Sequence, residues 1–267
     1  MSLKEKYALV TGGARGIGFA CVRELLLNGI EGVSLVDINV KKGKESTALL
    51  QSEFGPLKVL FLEADVSKKA EVRDAFRESV EHWGHLDLVI NDAGMVSEQN
   101  WEPALLTNCG GALQGTLTGF QYMSTKQNGR GGTIVNVASI RGISPNMAMP
   151  VYSSTKAFTI MLGRSLGAPM YYDHNGVKVI TVCPGKTTTE LMLSSASLVA
   201  SSGLHPNTQA VHVETLNGMK SQSPQEFAKL LMTVLDQAAS GTVWAIAGNK
   251  VNQIDFSSMD QQCMLYS

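Results

Sequence analysis

The sequence predicts a single-domain α/β fold: a doubly wound sheet of about seven parallel strands with helices on both faces. Three observations predict it. Short apolar runs alternate with longer stretches of helical period along all 267 residues. A glycine cluster separates the first run from the first helix. Composition is that of a globular chain, 44% hydrophobic and 17% charged, and neither a linker nor an internal repeat divides it.

Tyr7-Ala8-Leu9-Val10-Thr11 is a short apolar run closed by glycines, as a buried strand should be. Ile17, Ala20, Cys21, Leu25 and Leu26 then share one helical face, and Asn28-Gly29 stops that helix. Residues 33–37 form the second strand, 41–54 a charged amphipathic helix, and 59–65 the third strand. Ser67 is placed to N-cap a helix through Ala70, Val72, Phe76 and Val80. Residues 86–90 are the fourth strand, and one long helix is expected over 102–126. Gly131-Gly132 leads into the fifth strand, 133–137, followed by a helix over 151–172 and a sixth strand, 177–182. Residues 194–217, rich in small polar side chains, read as a weakly patterned loop, with 190–204 placed to close over a substrate; the mobile region spans 190–217. Residues 242–247 make a seventh strand.

Net charge is −1, and no basic concentration points to a nucleic-acid partner. No apolar run approaches the roughly 18 residues of a membrane span. The N-terminus runs straight into the first strand without a signal-peptide layout, so a cytoplasmic location is expected. Cys21, Cys109, Cys183 and Cys263 are far apart and form no CxxC pair; they read as small buried apolar side chains in a reducing compartment. His82 and His85 lack companion ligands, so no metal is expected.

Thr11-Gly12-Gly13-Ala14-Arg15-Gly16-Ile17-Gly18 lies between the first strand and the first helix. Glycines there let the backbone turn tightly and approach a diphosphate, which the free N–H groups and positive dipole end of the helix then receive. Asp37 ends the second strand about twenty residues after Gly18, where a carboxylate accepts hydrogen bonds from ribose hydroxyls and repels a 2′-phosphate. Asp37, with Ile38 beside it, therefore favours NAD over NADP, although Arg15 in the loop is a counter-signal. The reading becomes that of a Rossmann-type domain, its nucleotide-binding half at about 1–100 and its catalytic half at about 101–267.

Oxidising an alcohol needs a base for the hydroxyl proton and an acceptor for the hydride. Lys156 follows Tyr152 by one helical turn, so its charge favours tyrosinate. Ser139, at the end of the fifth strand, can orient the substrate oxygen. With the glycine loop, Asp65-Val66, Asn91-Asp92-Ala93-Gly94, Asn108, Ser139, Tyr152-Ser153-Ser154-Thr155-Lys156 and Pro184-Gly185, the chain resembles the short-chain dehydrogenase/reductase family over nearly its whole length. Met123-Ser124, Gln127-Asn128-Gly129 and Pro150-Val151-Tyr152 are similar to the branch of 15-hydroxyprostaglandin dehydrogenase and insect alcohol dehydrogenase-like proteins.

The resemblance implies that Tyr152 is the base, Ser139 orients, Lys156 lowers the tyrosine pKa and holds the nicotinamide ribose, and Asn108 holds a relay water. It implies further NAD contacts at Asp65 and Val66 (adenine), Asn91, Ala93 and Gly94 (ribose side), and Pro184, Gly185, Thr187 and Thr189. It also implies a homodimer or homotetramer. Met95, Ile140, Met147, Met149, Leu191 and Met192 fall near this set and suggest an apolar pocket for a small alcohol or ketone. Two positions depart from the pattern: Asp92 replaces a family asparagine, and Met149 replaces a glutamine of prostaglandin dehydrogenases. The expected function is NAD-dependent oxidation of an apolar secondary or allylic alcohol, with a terpenoid alcohol foremost. A prostaglandin or steroid hydroxyl dehydrogenase, an NADP-dependent carbonyl reductase and a non-catalytic ligand-binding or storage protein are the alternatives.

Overall fold

The apolar runs pair into one sheet in the computed structural model, which describes residues 2–200 and 205–258. The strands are β1 (Tyr7–Thr11), β2 (Gly32–Asp37), β3 (Val59–Glu63), β4 (Leu88–Asn91), β5 (Gly132–Val137), β6 (Val177–Pro184), β7 (Val243–Ala247) and β8 (Lys250–Gln253). The helices are α1 (Gly16–Leu27), α2 (Val40–Phe54), α3 (Lys69–Trp83), α4 (Trp101–Ala104), α5 (Ala112–Met123), α6 (Pro150–Leu166), α7 (Pro169–Asn175), α8 (Glu190–Ala200), α9 (Thr208–Asn217) and α10 (Pro224–Gln237).

The strand order is β3-β2-β1-β4-β5-β6-β7-β8. The first seven strands are parallel, and β8 returns antiparallel to β7. Because β1 pairs with both β2 and β4, the chain reverses its winding there. The loops leaving the carboxyl ends part in opposite directions and open a crevice. Successive strand residues serve opposite faces: Val10 joins a core with Cys21, Leu25, Leu50, Phe227 and Leu231, whereas Leu9 joins one with Val72, Phe76 and Met123. Thus α1, α2 and α10 cover one face, and α3 and α5 the other.

Several expectations change. The helix expected over 102–126 is interrupted: α4 passes into a π-helical segment, Leu105–Gly111, before α5. A Cβ at Gly111 would lie 2.8 Å from Val66 Cγ2, so the widened turn lets the backbone approach the end of β3. The helix over 151–172 is two helices, α6 and α7, divided at Gly167. Ser67 does not cap α3, which begins at Lys69; its hydroxyl donates to Asp65 Oδ1 at 2.7 Å.

Residues 194–217 are largely helical rather than loop, in α8 and α9. The serines there turn their hydroxyls onto helix carbonyls, Ser194 onto Glu190 O and Ser195 onto Met192 O, so they stay in a helix that their propensity disfavours. Residues 201–204, part of the expected closing segment, lie outside the described residues, as does Cys263. Cys21 and Cys183 are buried, while Cys109 is only half-buried.

Two elements were not anticipated. The α10 helix carries a full capping box between Ser223 and Glu226, and β8 follows a two-residue turn in which Gly248 and Asn249 both have positive φ. Among the described residues, no helix is long and apolar enough to cross a membrane.

Candidate active site

A cleft of about 780 Å3 lies over the carboxyl ends of the strands, bordered by Gly12 after β1, Asp37 at the end of β2, Ala93 after β4, Ser139 after β5 and Gly185 after β6. Its floor at one end is the glycine loop. No side chain caps the start of α1, and no acidic residue occupies its first turn, so this positive helix end is open to the cleft. Gly12 and Gly16 have φ of +67° and +59°, and a Cβ at Gly12 would lie 2.9 Å from Ala93 Cα. Gly18 is not a lining residue. A Cβ there would meet Gly12 O at 2.3 Å, so this glycine lets the helix start fold back on the loop.

Asp37 is held at the rim by two backbone donors, Ala14 N–H at 3.1 Å and Asn39 N–H at 2.9 Å. Ile38 beside it is exposed and also lines the cleft. Arg15 Nη1 spans the opening to Glu190 Oε2 on α8 at 2.7 Å. Asp65, Val66, Gly94, Pro184, Thr187 and Thr189 line the cleft. Asn91 does not: its amide is buried and donates to Asn136 Oδ1 at 2.9 Å, because its side chain points between β4 and α5. An uncapped helix start, glycines admitting close approach and an acid at the end of β2 fit a dinucleotide.

At the other end, Ser139, Tyr152 and Lys156 converge. Ser139 lies near enough to Tyr152 to favour its ionised form. Lys156 is buried, donates to Val137 O at 2.9 Å, and lies 5.8 Å from the centre of the Tyr152 ring. Asn108, in the π-helical segment, does not reach the cleft with its side chain. Its Oδ1 accepts from Met95 N–H at 2.8 Å, and its Nδ2 donates to Met95 O at 2.9 Å and Thr155 Oγ1 at 3.0 Å. All of its amide functions tie the loop after β4 to α6.

The family model for short chain dehydrogenase matches residues 6–198. The chain belongs to the short-chain dehydrogenase family. A rat 15-hydroxyprostaglandin dehydrogenase [NAD(+)] is 40% identical over 194 residues, covering 73% of each chain. Alcohol dehydrogenase 1 of Ceratitis capitata is 30% identical over 244 residues, covering 91% of this chain and 92% of that one. The solved structure of levodione reductase superposes with a TM-score of 0.79 at 24% identity, covering 92% and 97% of the two chains, a likeness of fold. This short-chain dehydrogenase is an NAD-linked oxidoreductase.

Burial pushes the Tyr152 hydroxyl of the dehydrogenase up to about 12, against the Ser139 hydrogen bond and the charge of Arg141, which lower it. The Lys156 ammonium is turned to Val137 O, and burial lowers its own pKa. Asp92, the residue that departs from the family pattern, is pushed up to about 7 by burial, opposed by Lys156 and by the Gly18 N–H that its carboxylate accepts. A protonated carboxyl regains the donor that replacing an amide removes.

Met95, Ile140, Met149, Leu191 and Met192 line the cleft at this end. Met147 is not part of it: the residue is 81% exposed, on the outer side of its loop. Arg141, His212, Leu216 and Met219 also line the cleft. His212 is buried; its Nδ1 faces Asn146 Nδ2 at 3.1 Å and its Nε2 faces Ser195 Oγ at 2.8 Å. Asn146 Oδ1 accepts Ala148 N–H, so Nδ2 is the atom that donates to the ring. The hydroxyl of Ser195 already donates to Met192 O, so Nε2–H donates to Ser195 and the imidazole is neutral. No spacing rule brings Asn146, Ser195 and His212 together; the packing of α8 on α9 and of His212 on the loop before α6 does.

Proposed function

We propose that this protein oxidises the secondary hydroxyl of an apolar, lipid-like alcohol with NAD+, as the prostaglandin dehydrogenases it resembles are named for doing. The observation that carries this reading is the meeting of Ser139, Tyr152 and Lys156 where a dinucleotide cleft runs into a methionine-rich pocket. NAD+, when bound, supplies the hydride acceptor and a positive ring. Ser139 and Tyr152 orient the substrate oxygen, and Tyr152 takes its proton as hydride leaves carbon. Lys156, held by Val137 O, is placed to bind the nicotinamide ribose. Apolar walls around the reacting carbon exclude water, and α8 and α9 cover that end.

Identity to prostaglandin dehydrogenases supports a hydroxy-lipid substrate over the terpenoid alcohol that the sequence put foremost. The exposed Leu106, Leu117, Phe158 and Met161 on the π-helical segment, α5 and α6 support a homo-oligomer formed through these helices. NADH absorbance with NAD+ and a panel of 15-hydroxyprostanoids, hydroxy fatty acids and terpenoid allylic alcohols tests the reading. Faster turnover of the hydroxy lipids is expected, and faster turnover of the terpenoids contradicts it.

A further inference from the structure

Of the cations that line the cleft at its substrate end, Lys156 is turned to Val137 O and Lys186 to Leu216 O, which leaves Arg141. Arg141 follows Ser139 by two residues, and its backbone N–H donates to Ser139 Oγ at 3.1 Å, which fixes the base of its side chain beside the group that orients the substrate oxygen. The side chain is half-buried and lines the cleft with Tyr152, Leu216 and Met219. Among the described residues, no carboxylate lies within ion-pair distance of it, and the one acceptor its guanidinium meets is the thioether of Met219, a weak partner for a group with five donors.

Its titratable neighbours bring no countercharge. Tyr152 is a neutral phenol in this structure, and His212 is held neutral by Asn146 and Ser195. A guanidinium withdrawn from water without a partner is costly, and a planar carboxylate is the group that matches its fork.

We propose that Arg141 is an anion anchor in the substrate pocket, receiving a carboxylate that the substrate carries within one arginine side chain's reach of the reacting hydroxyl. This rests on the dehydrogenase reading and narrows its substrate to hydroxy acids, either with the two groups close along the chain or folded so that they meet. Leu191, Met192 and Leu216 then take the alkyl chain.

The test separates anchoring from turnover. Octanoate and octanamide are titrated calorimetrically into the wild-type protein and into Arg141→Met and Arg141→Gln, with and without NADH. Wild type is expected to bind octanoate about tenfold to a hundredfold more tightly than octanamide, and both variants to lose that preference. In parallel, kcat/KM is compared for 3-hydroxyoctanoate and its methyl ester, and the acid-to-ester ratio is expected to fall in both variants. Equal binding of acid and amide, no binding of either, or a ratio unmoved by both substitutions overturns the anchor. Oxidation of the neutral ester and of 2-octanol by wild type reports on the dehydrogenase reading by itself. If these alcohols are oxidised while the acid preference is absent, the anchor alone fails. If Arg141→Met slows acid and ester equally and moves the pH profile, Arg141 acts through Tyr152 and the anchor is overturned.

Discussion

The side chain of Glu98 accepts the backbone N–H of Tyr152 at 2.9 Å, from 54 residues away. Its other oxygen accepts Val151 N–H, also at 2.9 Å, so a buried carboxylate caps the helix that carries Tyr152 and Lys156. Met149, in the N-cap position of α6, supplies no side-chain cap. The carboxylate satisfies orphan donors, opposes the positive helix end and fixes where Tyr152 stands.

Glu98→Ala leaves two buried donors without partners. It is expected to cost about 1–3 kcal/mol of stability and to lower kcat while dinucleotide affinity is kept. Denaturant unfolding, steady-state kinetics and NADH fluorescence titration check this. An unchanged kcat would show that the cap does not position the tyrosine.

Asp92 carries a proton more readily in the folded chain than in the unfolded one, about 7 against an ordinary value of 3.8. Its contribution to stability is therefore fully present below the unfolded value and is lost as pH rises through 7. Asp92→Asn is expected to raise the melting temperature relative to wild type at pH 8 and not at pH 4, by the equivalent of a few kcal/mol at most. Ionised Asp92 also raises the Tyr152 pKa, so the variant should move the acid limb of kcat/KM to lower pH. Equal melting-temperature differences at both pH values would contradict this assignment.

Gly18→Ala places a methyl group within van der Waals overlap of Gly12 O, so the start of α1 must move away from the loop. Dinucleotide affinity is expected to fall, with a stability loss of about 1–3 kcal/mol. NADH fluorescence titration and thermal unfolding check it; wild-type affinity would mean that the loop does not hold the diphosphate.

Asp37→Ala removes the acceptor from the rim and frees the N–H groups of Ala14 and Asn39. The ratio of kcat/KM with NAD+ to that with NADP+ is expected to fall about tenfold or more. A ratio that stays constant would place the selection elsewhere.

The parallel sheet was legible because its central strands are buried on both faces and so read as unbroken apolar runs, and because glycines mark the turn where a backbone must approach a ligand. Ser139, Tyr152 and Lys156 were legible from their chemistry at helical and strand-end spacing. Where the amides of Asn108 and Asn91 point was not legible. Both turn inward, toward Met95 and Asn136, and sequence spacing carries no information about that. Glu98 and His212 gain their roles from partners 54 and 66 residues away, beyond any local pattern. The break at 105–111 follows from the close approach of Gly111 to Val66, a contact between distant segments.

Tyr152→Phe removes one hydroxyl from beside Ser139 and leaves the other residues that line the dinucleotide cleft in place. The decisive measurement is kcat of this variant with NAD+ and an oxidisable secondary alcohol, beside its NADH affinity. Loss of about 10²–10⁴-fold in kcat with NADH affinity preserved is the predicted result. Wild-type turnover by the phenylalanine variant would contradict the claim that Tyr152 removes the substrate proton.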